Sequence, residues 1–386
     1  MNGFTPVPIT TTAAPRILIL RGGALGDFLL TLPAIRALRR HWPEAWIEII
    51  GHPGMAELAM TAGLINCVRS LDTAGMAEWF VPRRVWPERE RADLASFDLI
   101  LSYLGDAAGV LHANLQAAGA KRVIACSPIV ASGLPAEAAL AVAKRYGGAR
   151  SAQAGHAADH FLHPVMELGG SKRQMFDVAA VRHCRMAAKE STPLPARLPG
   201  LKSPPMDISQ STGNGPLLAW PTSLREQGRH WLKELGLAGD VISLHPGSGS
   251  SRKNWPVEKF ALLADCVRRS MSAQPLFILG EADADAKRAL PRLMPAVPVL
   301  TNRTLKEVAS VLAVSRGYVG NDSGITHLAA ALGIPVVALF GPTDAAMWGP
   351  RGAHVVILRG RAPTSEALAA IEPETVLQVL EKLIGS

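Results

Sequence analysis

Arg16-Ile17-Leu18-Ile19-Leu20, then Arg21-Gly22-Gly23-Ala24-Leu25-Gly26-Asp27, then Phe28 to Arg40, open the folded part of this chain. The first run is continuously apolar, as a strand buried on both faces must be. The second is a glycine loop, and the third has helical period. The pattern returns at Val241-Ile242-Ser243-Leu244, followed by the loop His245 to Lys253 and a helical segment from Pro256 to Arg269. Val257, Phe260, Ala261, Ala264 and Val267 line one face of that segment. Further strand candidates at Trp46 to Ile50, Asp98 to Ser102, Pro275 to Leu279, Tyr318 to Gly320 and Pro335 to Phe340 alternate with helical segments. This is the grammar of parallel sheets covered on both faces.

The strand, loop and helix unit thus begins twice, and 386 residues exceed one ordinary core. The reading is a flexible Thr/Pro-rich tail at 1–15, a Rossmann-like domain at 16–170 and a linker or insertion at 171–215 rich in Pro, Ser, Lys and Arg. A second Rossmann-like domain follows at 216–355. The last segment, 356–386, contains a helix-periodic stretch at Pro373 to Ile384, expected to cross back onto the first domain.

Composition excludes several classes. Hydrophobic residues at 48% and charged residues at 19% describe a chain that folds. The tail lacks the charged start and apolar core of a signal peptide. Ala329 to Phe340, the longest apolar stretch, is interrupted by Gly333 and Pro335 and falls short of a membrane span. Cys67, Cys126, Cys184 and Cys266 are too scattered for a disulfide framework or a metal knuckle, which suits a reducing compartment. The net charge of +8 favours anionic partners. Nucleic acid is not expected, because the arginines form no stripe and no recognition motif occurs.

Three loops carry candidate chemistry. Val319-Gly320-Asn321-Asp322-Ser323-Gly324-Ile325-Thr326-His327 runs from a strand end into a helix, where free N–H groups and the helix dipole favour a phosphate. The same residues also suit a plain helix cap, and both readings stand. His245 to Lys253 presents small residues and one cation before a helix, so Lys253 is either a phosphate partner or a solvated lysine. The first loop ends in Asp27, which would serve as a general base at the mouth of a cleft or as the N-cap of the next helix.

Other motifs fail. The first loop lacks the G-x-G-x-x-G spacing, and the following strand ends in Gly51-His52-Pro53 where a dinucleotide fold needs an acid. That leaves an NAD-dependent oxidoreductase little support. Asp283-Ala284-Asp285 is a lone D-x-D at a helix start, where acids are favoured by the dipole, and is discounted as a metal site. Glu281 stands closest to the strand end and could accept hydrogen bonds from a ribose. His156, His160 and His163 share a helical segment and are read as a polar face, with no metal site predicted.

Taken together, Leu25-Gly26-Asp27-Phe28-Leu29-Leu30-Thr31-Leu32-Pro33, His245-Pro246-Gly247-Ser248 with Lys253-Asn254-Trp255-Pro256, and Gly320-Asn321-Asp322-Ser323-Gly324 with His327 and Phe340-Gly341-Pro342-Thr343 resemble glycosyltransferase family 9. This is the lipopolysaccharide heptosyltransferase family. The resemblance is collinear from about residue 16 to 352. It implies the α/β GT-B fold, with two Rossmann-like βαβ domains facing across a cleft. It also implies inverting, metal-independent transfer of a sugar, typically heptose from ADP-heptose, to a lipopolysaccharide core or related lipid-linked acceptor, with no cofactor beyond the nucleotide-sugar substrate.

By the resemblance Asp27 is the general base and Lys253 stabilises the departing diphosphate. Ser248, Asp322, Ser323, Gly324 and His327 bind the donor, and Glu281 contacts the nucleoside, a role for which Asp283 competes. A cytoplasmic protein in peripheral contact with the inner face of the membrane is implied too, and Arg83, Arg84, Arg89 and Arg91 are candidates to meet a phosphorylated lipid core. Tyr103-Leu104-Gly105-Asp106 replaces a more polar stretch of the family, which leaves the acceptor open. A non-catalytic nucleotide-sugar-binding module is the alternative, against which the retained Asp27 and Lys253 argue.

Overall fold

The computed structural model describes residues 14–128, 156–166, 168 and 215–385. The tail expected at 1–15 and the linker at 171–215 fall almost wholly outside the described residues. The first domain is a parallel sheet of five strands, β1 (Arg16–Arg21), β2 (Trp46–Gly51), β3 (Cys67–Ser70), β4 (Leu99–Ser102) and β5 (Val123–Ala125), in the order β3-β2-β1-β4-β5. The second has six, β6 (Asp240–His245), β7 (Ala273–Leu279), β8 (Val299–Thr301), β9 (Gly317–Asn321), β10 (Val336–Phe340) and β11 (Val355–Arg359), in the order β11-β10-β9-β6-β7-β8. Both orders run outward from a first strand and then reverse. Each sheet therefore has a switch point, between β1 and β4 and between β6 and β9, where the crossovers diverge and leave a crevice.

Burial on both faces explains the apolar runs. In β1, Ile17 and Ile19 join one core with Leu29, Leu32 and Phe161, while Leu18 and Leu20 join another with Phe97, Leu111 and Leu115. Short strands such as β3, β5, β8 and β11 leave no clear mark in the sequence, because three to five residues carry too little periodicity.

The final helix, Pro373–Gly385, corrects an expectation. Val376, Leu377 and Leu380 are buried with Ile242, Phe260 and Leu339 in the core of the second sheet. The helix closes its own domain instead of reaching the first, because its apolar stripe meets the uncovered face beside the helix Val257–Ser270. The boundary placed at residue 355 also fails, since Val355–Arg359 is the edge strand β11.

The domains meet through helices. Leu25–His41 packs on Gly324–Ala331, and Pro53–Thr61 on Leu305–Leu312, where Lys306 Nζ lies 3.0 Å from Glu57 Oε1. The helix Ala157–Met166 packs against Leu25–His41, and Arg351 grips Asp159 with two bonds of 2.6 and 2.7 Å. No helix among the described residues is long and apolar enough to cross a membrane.

Candidate active site

Three loops leave the carboxyl ends of strands that flank the switch points, which is where open α/β sheets hold ligands. After β1 comes the loop to Asp27, after β6 the loop to Lys253, and after β9 the turn at Asp322. They are brought together closely. A β-carbon placed on Gly26 would lie 3.7 Å from the His327 ring and 4.0 Å from the Gly324 α-carbon, and one on Gly324 would stand only 2.8 Å from Leu25. Only glycine at 324 lets the first domain's helix start approach this turn so closely.

Asp27 is not the N-cap that its place in the loop suggested. The helix begins at Leu25 with Ala24 as the cap, so Asp27 sits in the first turn. Its carboxylate accepts a long bond of 3.3 Å from the Ala24 N–H, half of a capping box. Its main chain is held more firmly, by Arg21 Nη2 at 2.7 Å and the Thr31 hydroxyl at 2.9 Å, both donating to the Asp27 carbonyl. Arg21 went unnoticed in the sequence. It is buried under the loop with its guanidinium 4.5 Å from the Phe161 ring centroid, and burial lowers its pKa against the opposing field of Asp27. A cation ending an otherwise apolar strand was the available signal.

Across the cleft, Lys253 Nζ donates to Asp322 Oδ2 at 2.8 Å. Asp322 is buried, whereas Lys253 remains about a third exposed, so the cation faces outward from the pair. Asn321 is fully buried and ties the two loops. Its Nδ2 donates to the Pro246 carbonyl at 2.7 Å and its Oδ1 accepts the Trp255 N–H at 3.0 Å. Ser323 caps the helix Gly324–Ala331 by accepting the Thr326 N–H at 3.3 Å, so this turn does serve as a helix cap. The Ser248 hydroxyl stays within its own loop, 2.6 Å from Asn254 Oδ1 and 2.7 Å from the Ser250 carbonyl. In this state it shapes the loop and presents no free proton.

Beyond β7, Glu281 and Asp283 separate in role. Glu281 is exposed. Asp283 is buried, accepts the Gly280 N–H at 2.6 Å and approaches His245 Nδ1 at 3.8 Å. That nitrogen gives its proton to the Ile278 carbonyl at 2.8 Å, and burial keeps the His245 pKa below its ordinary value despite the nearby carboxylate. A β-carbon at Gly247 would fall 1.6 Å from Asp283 Oδ1. Gly247→Ala should therefore push Asp283 off the Gly280 N–H and lower stability by about 2–3 kcal/mol, read as a shift in denaturant midpoint at unchanged slope.

The three histidines do not form a polar face. His156 and His160 are buried. His156 donates from Nε2 to the Gly349 carbonyl at 2.9 Å and accepts the Ala158 N–H at Nδ1, 3.0 Å away, which bridges the domains as a neutral ring. Burial and the Arg351 charge depress its pKa to about 4. His327 is likewise held down to about 4, by burial first, with Asp322 and Asp27 opposing. A histidine that is neutral in the fold and titrates at 6.5 in the unfolded chain lends stability above 6.5 that is lost as pH falls toward 4. Unfolding midpoints should thus fall across this window, by on the order of 3 kcal/mol from His327 alone, and His327→Gln should flatten the slope. An equal slope in the variant would assign the loss to other groups.

Among the described residues no group of three or more His, Cys, Asp or Glu is placed to hold a metal ion.

Two doubly wound domains facing each other, with loops from both meeting at their switch points, form a GT-B fold. More particularly, residues 218–375 match the model of glycosyltransferase family 9 (heptosyltransferase). It is similar to lipooligosaccharide heptosyltransferase 2 of Haemophilus influenzae, with 28% identity over 186 residues, 43% of this chain and 54% of the relative. The chain spans about half the length of the first curated relatives it matches. Among solved structures, a family 9 glycosyl transferase from Veillonella parvula superposes with a TM-score of 0.67 at 17% identity, covering 96% of this chain and 97% of that one. An Escherichia coli heptosyltransferase with ADP-2-deoxy-2-fluoro heptose gives 0.58 at 21% identity, covering 95% and 99%.

Proposed function

We propose that the protein transfers a sugar, heptose from ADP-heptose, onto a lipopolysaccharide core or related lipid-linked glycan, with inversion at the anomeric carbon. The observation that carries this reading is the meeting of Asp27 from one domain with the Lys253–Asp322 pair and His327 from the other at a single crevice. An acceptor hydroxyl would attack the anomeric carbon in line with the bond to the diphosphate. Its proton would pass to the Asp27 carboxylate, and the bond to the leaving oxygen would break with its electrons.

Charge then accumulates on the diphosphate. Lys253 is the cation placed to meet it, and the N–H groups at the start of Gly324–Ala331 add partial positive charge. For the donor to gain Lys253, it must compete with Asp322, which would then be freed to accept sugar hydroxyls. Asp283 is occupied, so the exposed Glu281 is the acid available to the nucleoside. The solved Escherichia coli heptosyltransferase with ADP-2-deoxy-2-fluoro heptose supports this donor class. The acceptor reading implies work at the inner face of the cytoplasmic membrane.

The deciding experiment is a transfer assay across ADP-, GDP- and UDP-sugars with core fragments as acceptors. Turnover only with an ADP-sugar bears the proposal out. Tight donor binding with no turnover for any pair would favour a non-catalytic nucleotide-sugar-binding module.

A further inference from the structure

From Leu71, which lies against Gly22 at the start of the Asp27 loop, the chain leaves the edge of the first sheet where that loop stands. It forms a tip between the helices Ala74–Glu78 and Glu88–Ala95. The tip exposes apolar side chains that a free surface has no use for: Val85 is 90% exposed, Val81 52% and Phe80 37%. Arg83, at its turn, adopts a left-handed φ of 57°, uncommon for a non-glycine residue.

Arg84 is turned inward, paired with Glu78 and Glu90 at 3.0 Å each and stacked over Trp86 at 4.5 Å. Asn114 Nδ2 donates to the Trp79 and Val81 carbonyls at 2.9 and 2.8 Å, and Trp86 Nε1 returns a bond to the Asn114 carbonyl at 2.9 Å. Of the four arginines expected to face an acceptor, Arg84 is thus withdrawn into the scaffold, where its charge is spent on Glu78 and Glu90.

Charge sorts in the same way. Arg91 is matched by Glu88, and among the described residues no carboxylate pairs with the exposed Arg83 or Arg89. The outer surface is therefore an apolar wedge held rigid, flanked by two unmatched guanidinium groups with Trp86 at its base. This pairing of shallow apolar insertion with cations suits an anionic lipid surface, which supplies acyl carbon to the wedge and phosphate to the arginines.

We infer that the tip Phe80 to Arg89 is a preformed docking element for an anionic bilayer. Its purpose, to present a lipid-linked acceptor to the crevice at Asp27, rests on the proposed function, but the binding itself does not. The test uses the full chain and vesicles free of any glycan, so its outcome is independent of sugar transfer. In co-sedimentation at about 0.1 M salt, wild type should pellet with phosphatidylglycerol-containing vesicles and not with pure phosphatidylcholine.

Val81→Asp with Val85→Asp should lower the partition coefficient roughly tenfold, and Arg83→Glu with Arg89→Glu should do so by a similar factor that high salt erases. All four positions are exposed, so the fold should survive, and circular dichroism verifies it. Unchanged partitioning in both double variants, or no pelleting of wild type, overturns the inference. So does a concentration-dependent dimer in light scattering that the valine variant dissolves, since the wedge would then serve a second copy of the chain.

Discussion

Replacing Asp27 by asparagine is expected to lower the turnover number by roughly three orders of magnitude while nucleotide affinity is retained, within the 10²–10⁴ range that a general base contributes. The main chain at Asp27 is clamped by Arg21 and Thr31, so the side chain alone should change. Asparagine keeps the shape and still accepts from the Ala24 N–H, a contact already long at 3.3 Å. What it loses is basicity. The measurement is a progress curve of transfer beside calorimetric titration with nucleotide. Full turnover in the variant would remove Asp27 from the chemistry, and loss of nucleotide binding as well would mean that the first helix start had moved.

Lys253→Met should have the next largest effect, a loss of roughly 10²–10³ in turnover together with weaker diphosphate binding. A second consequence is structural, because Asp322 is buried and Lys253 is its cation at 2.8 Å. Removing the cation leaves a carboxylate uncompensated, and stability should fall. The two effects are separable. If Lys253 served only to neutralise Asp322, then Lys253→Met combined with Asp322→Asn would restore both melting temperature and any activity that does not need the acid. The expected result is recovery of stability without recovery of diphosphate affinity, since methionine offers a phosphate nothing. Equal diphosphate affinity in wild type and Lys253→Met would assign the lysine a purely structural role.

Much of the fold was legible because parallel strands buried on both faces must be continuously apolar. Arg16 to Leu20, Val241 to Leu244 and Pro335 to Phe340 could hardly be anything else. The three loops were legible as well, since glycine, small polar residues and a helix start appear in order wherever a strand hands over to a helix. Short strands and the direction of the last helix were not. The stripe of Val376, Leu377 and Leu380 states that one face is buried but not which surface receives it. Asp283 and Glu281 stand two residues apart and looked interchangeable. The approach of Gly247 separated them, by leaving room for one buried carboxylate and no side chain.

By itself the sequence determined that there would be two alternating βα domains and that Asp27, Lys253 and Asp322 would each stand on a loop after a strand, because local period and loop chemistry are properties of neighbouring residues. Only the tertiary structure decided that these loops meet. The strand orders place each beside a switch point, and the packing of Leu25 on Gly324 joins the two crevices. It also decided which charges are spent inside the scaffold, as with Arg84 and Asp283, and which face out, as with Lys253 and Arg83. The reason is physical. A side chain's partner, its burial and hence its protonation depend on groups tens to hundreds of residues away, whose positions no local pattern carries.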